Sequence, residues 1–283
     1  MRKGSDNGET FDYIIVGAGS AGSVLASRLT ELKNLRVLTI EAGGNPNDKG
    51  FVSVLDSEYV FSYQSQYSAT TGQAQKIPGV VPLLRGKMLG GSSSCNGMWY
   101  CRGNPEDYNF WVESGFNGWD WNTVFPYFLK SENFTGDLVM SDPVYSSYHN
   151  TTGPLKVTQP IEDNEDLELT LKGIKEVLKV RETTYFRNAN SSVVELDLPA
   201  CKDYAFLSDE YWKCYALAMS ASGFHPARTC AMGKVVDTNF KVYGVNRLRV
   251  IDASVFYDMP SGNLNAVVIM MAERAADLIK NGL

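Results

Sequence analysis

Apolar positions along the chain recur at two different spacings, and the change from one to the other marks the elements. Phe11 to Gly17 (Phe-Asp-Tyr-Ile-Ile-Val-Gly) is a short run rich in β-branched residues, which predicts a buried parallel strand over 12–17. The next apolar residues, Ala21, Val24, Leu25, Leu29 and Leu32, return every three or four positions and form one face of an amphipathic helix. Residues 36–41 and 247–253 read as two further strands. Leu167, Leu171, Ile174 and Leu178 follow the acidic residues Glu162, Asp163, Glu165, Asp166 and Glu168, the pattern of a solvated helix start leading into an apolar face. A last helix is expected from Asn265 to Lys280, with one face in the core. Its apolar stretch, Ala266 to Ala272, is far below the roughly 20 residues that span a bilayer, so no membrane span is expected.

Doubly wound sheets commonly have about 5 to 6 strands. Three parallel strands therefore predict an incomplete sheet, whose exposed edges and uncovered apolar face favour pairing with another chain or aggregation.

The 283 residues, 44% apolar and 20% charged, suffice for one ordinary globular domain or two modest ones. A net charge of -6 without a Lys/Arg stripe argues against nucleic acid as a partner. Cys95, Cys101, Cys201, Cys214 and Cys230 form no Cys-x-x-Cys pair, and with only two histidines a metal centre lacks ligands. Cys201 and Cys214 are near enough in sequence for a disulfide in an oxidising compartment, and sequons stand at Asn133, Asn150 and Asn190. These features suit a secreted ancestry. Residues 1–10 lack the apolar stretch of a secretory signal, which suits a cytoplasmic chain.

Between the first strand and the first helix stands Gly17-Ala18-Gly19-Ser20-Ala21-Gly22, with Glu41 at the end of the second strand, 41 − 17 = 24 positions on. This is a dinucleotide-binding fingerprint in its strand-turn-helix setting. Gly17 permits the tight turn, Gly19 lets the backbone approach a pyrophosphate, and Gly22 lets the helix pack close to the strand. The helix start at Ser20 and Ala21 offers free N–H groups to an anion, and Glu41 can accept from an adenosine ribose. FAD and NAD both fit this stretch. No tyrosine precedes a lysine by four positions, so the proton relay of short-chain NAD(P) dehydrogenases is missing.

Residues 84 to 105, Leu-Arg-Gly-Lys-Met-Leu-Gly-Gly-Ser-Ser-Ser-Cys-Asn-Gly-Met-Trp-Tyr-Cys-Arg-Gly-Asn-Pro, resemble the first signature of the glucose-methanol-choline (GMC) oxidoreductases, including insect glucose-dehydrogenase-like members. The resemblance implies FAD. It places Gly90, Gly91, Ser92 and Ser93 beside the flavin and Asn96, Gly97 and Met98 against the isoalloxazine ring. Small residues there would let main-chain N–H groups reach flavin oxygens. Cys95 replaces the family's usual aliphatic residue.

The C-terminal stretch is similar to the end of the same family: Phe224-His-Pro-Ala-Arg-Thr-Cys-Ala-Met-Gly, Leu248-Arg-Val-Ile-Asp-Ala-Ser and Ser261-Gly-Asn-Leu-Asn-Ala. The resemblance implies that His225 and Asn263 are the catalytic pair, that Asp252 and Ala253 end the last sheet strand near the cofactor, and that Asn265 faces the flavin. Alcohol oxidation needs a base for the O–H proton as hydride leaves the carbinol carbon, and imidazole meets that need. Asn263 could donate to the developing alkoxide. His149 reads as structural. Arg228 stands where the family pattern has glycine, and its guanidinium could either stabilise an anionic reduced flavin or block a backbone approach.

Relatives run to about twice this length, and a large internal segment is expected to be missing at Pro160-Ile161. The expected fold is α/β: an incomplete FAD-binding doubly wound, Rossmann-like sheet with a remnant of an α+β substrate domain. The expected parts are 11–160 and 216–283 for the FAD-binding domain and 161–215 for a helical remnant. The implied function is FAD-dependent oxidation of an alcohol or sugar, with a quinone-like acceptor or oxygen. The rival reading is an inactive truncated isoform or gene-model fragment keeping at most a dinucleotide-binding or interaction module. A serine hydrolase is disfavoured because no Gly-x-Ser-x-Gly run occurs.

Overall fold

The computed structural model describes residues 8–46, 58–70, 72, 74–158, 201–205, 208, 211, 214 and 225–283. The predicted helix through Leu167 to Leu178, the Pro160-Ile161 junction and the Asn190 sequon lie outside the described residues. The chain divides into two units, one of Met1–Ser65, Pro82–Ser131 and Ser222–Leu283, the other of Gln66–Val81 and Glu132–Ala221.

In the first unit, Tyr13–Val16 (β1) and Val37–Ile40 (β2) pair in parallel, Tyr13 opposite Val37 and Val16 opposite Ile40. The helix Ser20–Leu29 (α1) connects them and buries Ala21, Leu25 and Leu29, the face expected from the spacing. Leu32 lies beyond the helix end and is exposed. Alternation along β1 buries Ile15 but leaves Ile14 60% and Val16 84% exposed, so one apolar face of this two-stranded sheet is uncovered. Two strands absent from the sequence reading, Val60–Gln64 (β3) and Pro82–Gly86 (β4), form an antiparallel pair.

The helices Pro105–Glu113 (α2) and Trp121–Ser131 (α3) follow. Asp120 starts α3 by accepting from Thr123 N–H at 3.0 Å and Thr123 Oγ1 at 2.7 Å; those bonds hold its carboxyl below the ordinary range. Tyr108, Trp111, Trp119, Phe128, Phe240 and Phe256 are wholly buried and meet at tilted or edge-on angles, Trp119 and Phe240 with centroids 5.4 Å apart.

The unit closes on Asn265–Lys280, the next helix of this unit, where the sequence predicts it. It differs from the one-faced helix expected, because every residue from Ala266 to Ala276 is buried. The reason is packing on both flanks, by α1 and α3, which leaves no solvent face. Glu273, 1% exposed, is compensated by Arg28, whose Nε donates to its two oxygens at 3.0 and 2.7 Å, and by Lys130 Nζ at 3.5 Å. Lys130 also donates to Asp277 at 2.7 Å, and Lys280 to Glu31 at 2.6 Å. Arg274 donates to the Gly118 carbonyl and lies 4.3 Å from the Trp119 ring centroid. Burial on both flanks is thus matched by ion pairs that bind the C-terminal helix to both neighbours.

The expected third strand does not form. Within 247–253, Val242 N–H donates to Leu248 O and Val250 N–H to Phe240 O, so the segment folds back on residues 240–242 rather than joining β1. Arg247, at φ +60°, belongs to the turn that precedes the segment. Asp252 and Ala253 consequently end no strand; Asp252 caps a 3-10 turn, Ala253–Val255, by accepting from Ser254 N–H at 2.8 Å.

In the second unit, Glu132–Phe134 (β5) and Leu155–Val157 (β6) pair in parallel, and Asp137–Met140 (α4) and Pro143–Ser146 (α5) are single-turn helices between them. His149 Nδ1 lies 3.1 Å from the buried Glu132 carboxylate and its ring stacks on Phe134 at 4.1 Å, which suits the structural role read from the sequence. Cys201 and Cys214 form a disulfide. Among the described residues no helix is long and apolar enough to cross a membrane.

Candidate functional site

The site is built in the first unit from two glycine turns pressed together. Gly17, at φ +93°, extends the parallel pairing by donating to Ile40 O at 2.7 Å and then turns the chain into α1. A Cβ on Gly22 would stand 1.9 Å from Gly17 O, so only glycine lets the helix sit this near the turn. In front of Gly17 and Gly19 the space is open: a Cβ on the first would meet nothing within 4 Å, and on the second only Gly91 Cα at 3.9 Å. The first intrahelical bond runs from Ser23 N–H to Gly19 O. The N–H groups of Ser20, Ala21 and Gly22 precede it and point out of the helix end.

Glu41 is tied in place before any ligand is considered. Its Oε2 accepts from Ala18 N–H and its Oε1 from Gly43 N–H, both at 2.8 Å, which leaves each oxygen further acceptor capacity toward the groove.

The second turn arrives from β4. Gly90 donates to Ala18 O at 2.7 Å, and Gly91–Ser94 forms a 3-10 turn. Ser92 Oγ accepts from Gly86 N–H at 3.1 Å, and Ser93 Oγ donates to Gly90 O at 2.6 Å. Asn96 accepts from Met98 N–H at 2.9 Å, a local Asx turn. Burial pushes the neighbouring Cys95 thiol up and the Arg85 guanidinium down.

The catalytic candidates come from the far end of the chain. Asn263 Nδ2 lies 3.1 Å from His225 Nε2. The loop that carries Asn263 is fastened to α2, because Asp107 accepts from Ser261 N–H at 2.8 Å, Ser261 Oγ at 2.9 Å and Asn104 N–H at 2.7 Å. On its other side, Cys101 Sγ donates to Asn263 Oδ1 at 3.5 Å.

One open groove of about 2400 Å³ is lined by both ends of this arrangement. Gly17, Gly19, Ser20, Ala21, Gly22, Glu41, Gly91, Ser92, Ser93, Asn96, Gly97, His225, Asp252, Ala253, Asn263 and Asn265 all face it. It is larger than the roughly 300–1,000 Å³ of an enclosed small-molecule pocket. Two expected residues are not among its lining. Gly90 is spent on Ala18, and a Cβ there would strike Ser94 Oγ. Met98, in the left-handed region at φ +59°, is turned out and 67% exposed.

Arg228 resolves in favour of neither expected role. Its guanidinium pairs with Asp258 at 2.6 Å, away from the groove lining, and its φ of +71° shows why glycine suits the position. Arg85, Cys101 and Asp107 were not singled out by the sequence. Asn104-Pro105-Glu-Asp107 could have been read as a helix start, whereas the partners of Cys101 and Asp107 lie more than 150 residues away.

Two models of the family described as GMC oxidoreductase match the chain, the N-terminal one over residues 11–194 and the C-terminal one over 144–272. The chain is 40% identical over 157 residues to an ecdysone oxidase of Bombyx mori, covering 54% of the chain and 23% of that protein. It is 41% identical over 165 residues to an oxygen-dependent choline dehydrogenase of Chromohalobacter salexigens, covering 56% and 28%. Against a solved formate oxidase of Aspergillus oryzae RIB40 the identity is 29%, the coverage 57% and 29%, and the TM-score 0.48. The chain thus spans between 23% and 28% of the length of the two curated relatives.

Proposed function

The chain belongs to the GMC oxidoreductase family, whose cofactor is FAD, and from that membership we propose that it binds FAD along the groove and oxidises the CH–OH group of a small alcohol or sugar. The observation that carries the reading is the His225–Asn263 pair, 3.1 Å apart, on the same groove as the Gly17, Gly19 and Gly91 turns. The residues present fit a dinucleotide. The unpaired first-turn N–H groups of α1 suit a pyrophosphate, Glu41 suits a ribose diol, and the open face of Gly19 suits close backbone approach. In this reading residues 11–160 and 216–283 carry the cofactor, and 161–215 adjoins the substrate domain.

When bound, FAD supplies the two-electron acceptor for the hydride. The chain's own residues handle the proton. Nε2 of His225 takes it from the hydroxyl as the carbinol carbon gives up its hydride, and the product is the carbonyl compound. Asn263 Nδ2 donates to the oxygen while negative charge builds there. A base of this kind contributes about 100- to 10,000-fold in rate. Oxygen is favoured over a quinone-like acceptor by the oxidase and oxygen-dependent dehydrogenase among the relatives.

The 60% and 84% exposure of Ile14 and Val16 on β1 favours a second reading, in which the chain keeps a dinucleotide or interaction module without turnover. A visible spectrum of the purified chain, followed by an alcohol panel with His225→Ala alongside, separates the two. The enzyme reading expects stoichiometric flavin, turnover in the parent and none in the variant, which keeps its flavin. A colourless, folded protein sinks both the cofactor and the reaction; stoichiometric flavin without turnover supports the second reading.

A further inference from the structure

We propose that Cys101 is a positioning residue for the His225–Asn263 pair, its thiol holding the Asn263 carboxamide in one of two orientations and so setting which His225 nitrogen carries the proton. The inference rests on the functional reading above for its purpose, and on geometry for its content. Asn263 is presented to Cys101 by a pinned loop. Ser261 is held by Asp107 through two bonds of 2.8 and 2.9 Å. Gly262, at φ +91°, lies so near that a Cβ on it would be 3.1 Å from Cys101 Cβ.

A carboxamide has an acceptor end and a donor end, and a half-turn exchanges them. With Sγ 3.5 Å from Oδ1, the thiol proton meets the acceptor end. The donor end is then the one 3.1 Å from His225 Nε2. An NH2 group can only donate, so Nε2 must accept, and the neutral imidazole carries its proton on Nδ1. That tautomer keeps a lone pair on Nε2, engaged by the Asn263 N–H until a substrate hydroxyl displaces it and delivers its proton. Without the thiol proton the carboxamide loses its reason to choose, and the flipped form, Oδ1 toward Nε2–H, becomes comparably populated. Cys101 does not line the groove, so it acts only through Asn263.

The test uses the full chain labelled with ¹⁵N-histidine, which is tractable because the sequence has two histidines, His149 and His225. Spectra are taken at about pH 7.5, above the usual imidazole range and below the usual thiol range, with His225→Ala for assignment. The parent is expected to show His225 mainly with Nδ1–H and an unprotonated, hydrogen-bond-accepting Nε2. Cys101→Ala should move the ratio about five-fold toward Nε2–H, the scale of one modest hydrogen bond. Cys101→Ser, with a hydroxyl donor in the same place, should restore the parent pattern, and His149 signals should stay fixed. A parent His225 dominated by Nε2–H overturns the proposal whatever the variants do. So does a folded Cys101→Ala with an unchanged ratio, or equal shifts in the Ala and Ser variants. Flavin content read on the same samples keeps the two questions apart: loss of flavin in every sample counts against the functional reading, while an unchanged tautomer with flavin present counts against Cys101 alone.

Discussion

Gly91 lies so close to Gly19 that a Cβ on it would stand 2.9 Å from Gly19 Cα. Gly91 also sits at φ +54°, in the left-handed region that an L side chain enters only at a cost. The approach of these two glycines presses the α1 turn and the Gly91–Ser94 turn into one wall of the groove.

Gly91→Ala should therefore force the turns apart. The expected loss is about 1–3 kcal/mol from overpacking, read as a lower urea midpoint, with reduced flavin content in the folded fraction. A variant with parent stability and full flavin would show that the approach carries no constraint.

Glu273→Ala should be among the most damaging single changes on the C-terminal helix. It leaves Arg28 and Lys130 without their shared carboxylate. Breaking a buried pair costs roughly 3–5 kcal/mol, and Arg28 keeps Glu31 at 2.8 Å, so the low end is expected in chemical denaturation.

Acid should loosen the α1 contact with the C-terminal helix in a defined window. Hydrogen bonds from Lys280 and then Arg28 hold Glu31 down, from 4.5 to about 2. A carboxyl lowered in the folded state contributes stability that is complete above 4.5 and is lost as pH falls toward about 2. Thermal melts across that range should fall more steeply for the parent than for Glu31→Gln; parallel curves would remove Glu31 from the account.

Arg228→Gly should stabilise the fold. The parent holds an arginine at φ +71°, a conformation costing an L residue about 1–2 kcal/mol. Against this stands an exposed pair with Asp258, worth roughly 0–1 kcal/mol. A net gain of up to about 1 kcal/mol in denaturant unfolding is expected, and a clear loss would mean the ion pair outweighs the strain.

The elements legible beforehand were those specified by neighbours in sequence. β1, α1 and β2 follow from apolar spacing and three glycines within a single 30-residue unit, and the C-terminal helix from an apolar run beginning at Ala266. The family signatures likewise named His225, Asn263 and several other residues that line the groove, among them Gly91, Ser92 and Asn265. Backbone sterics and side-chain periodicity act over a few residues, so a linear text carries them.

What needed three dimensions was every competition between distant segments. Residues 247–253 have the composition of a strand, yet after the chain reversal at 243–247 their hydrogen bonds went to 240–242. The all-round burial of the C-terminal helix depended on α1 and α3 closing from both sides. Arg28 met Glu273 across 245 positions, and Cys101 met Asn263 across 162. Hydrogen-bond and ionic partners are set by proximity in space, and a side chain's choice among them is decided only once the backbone has brought the rivals together.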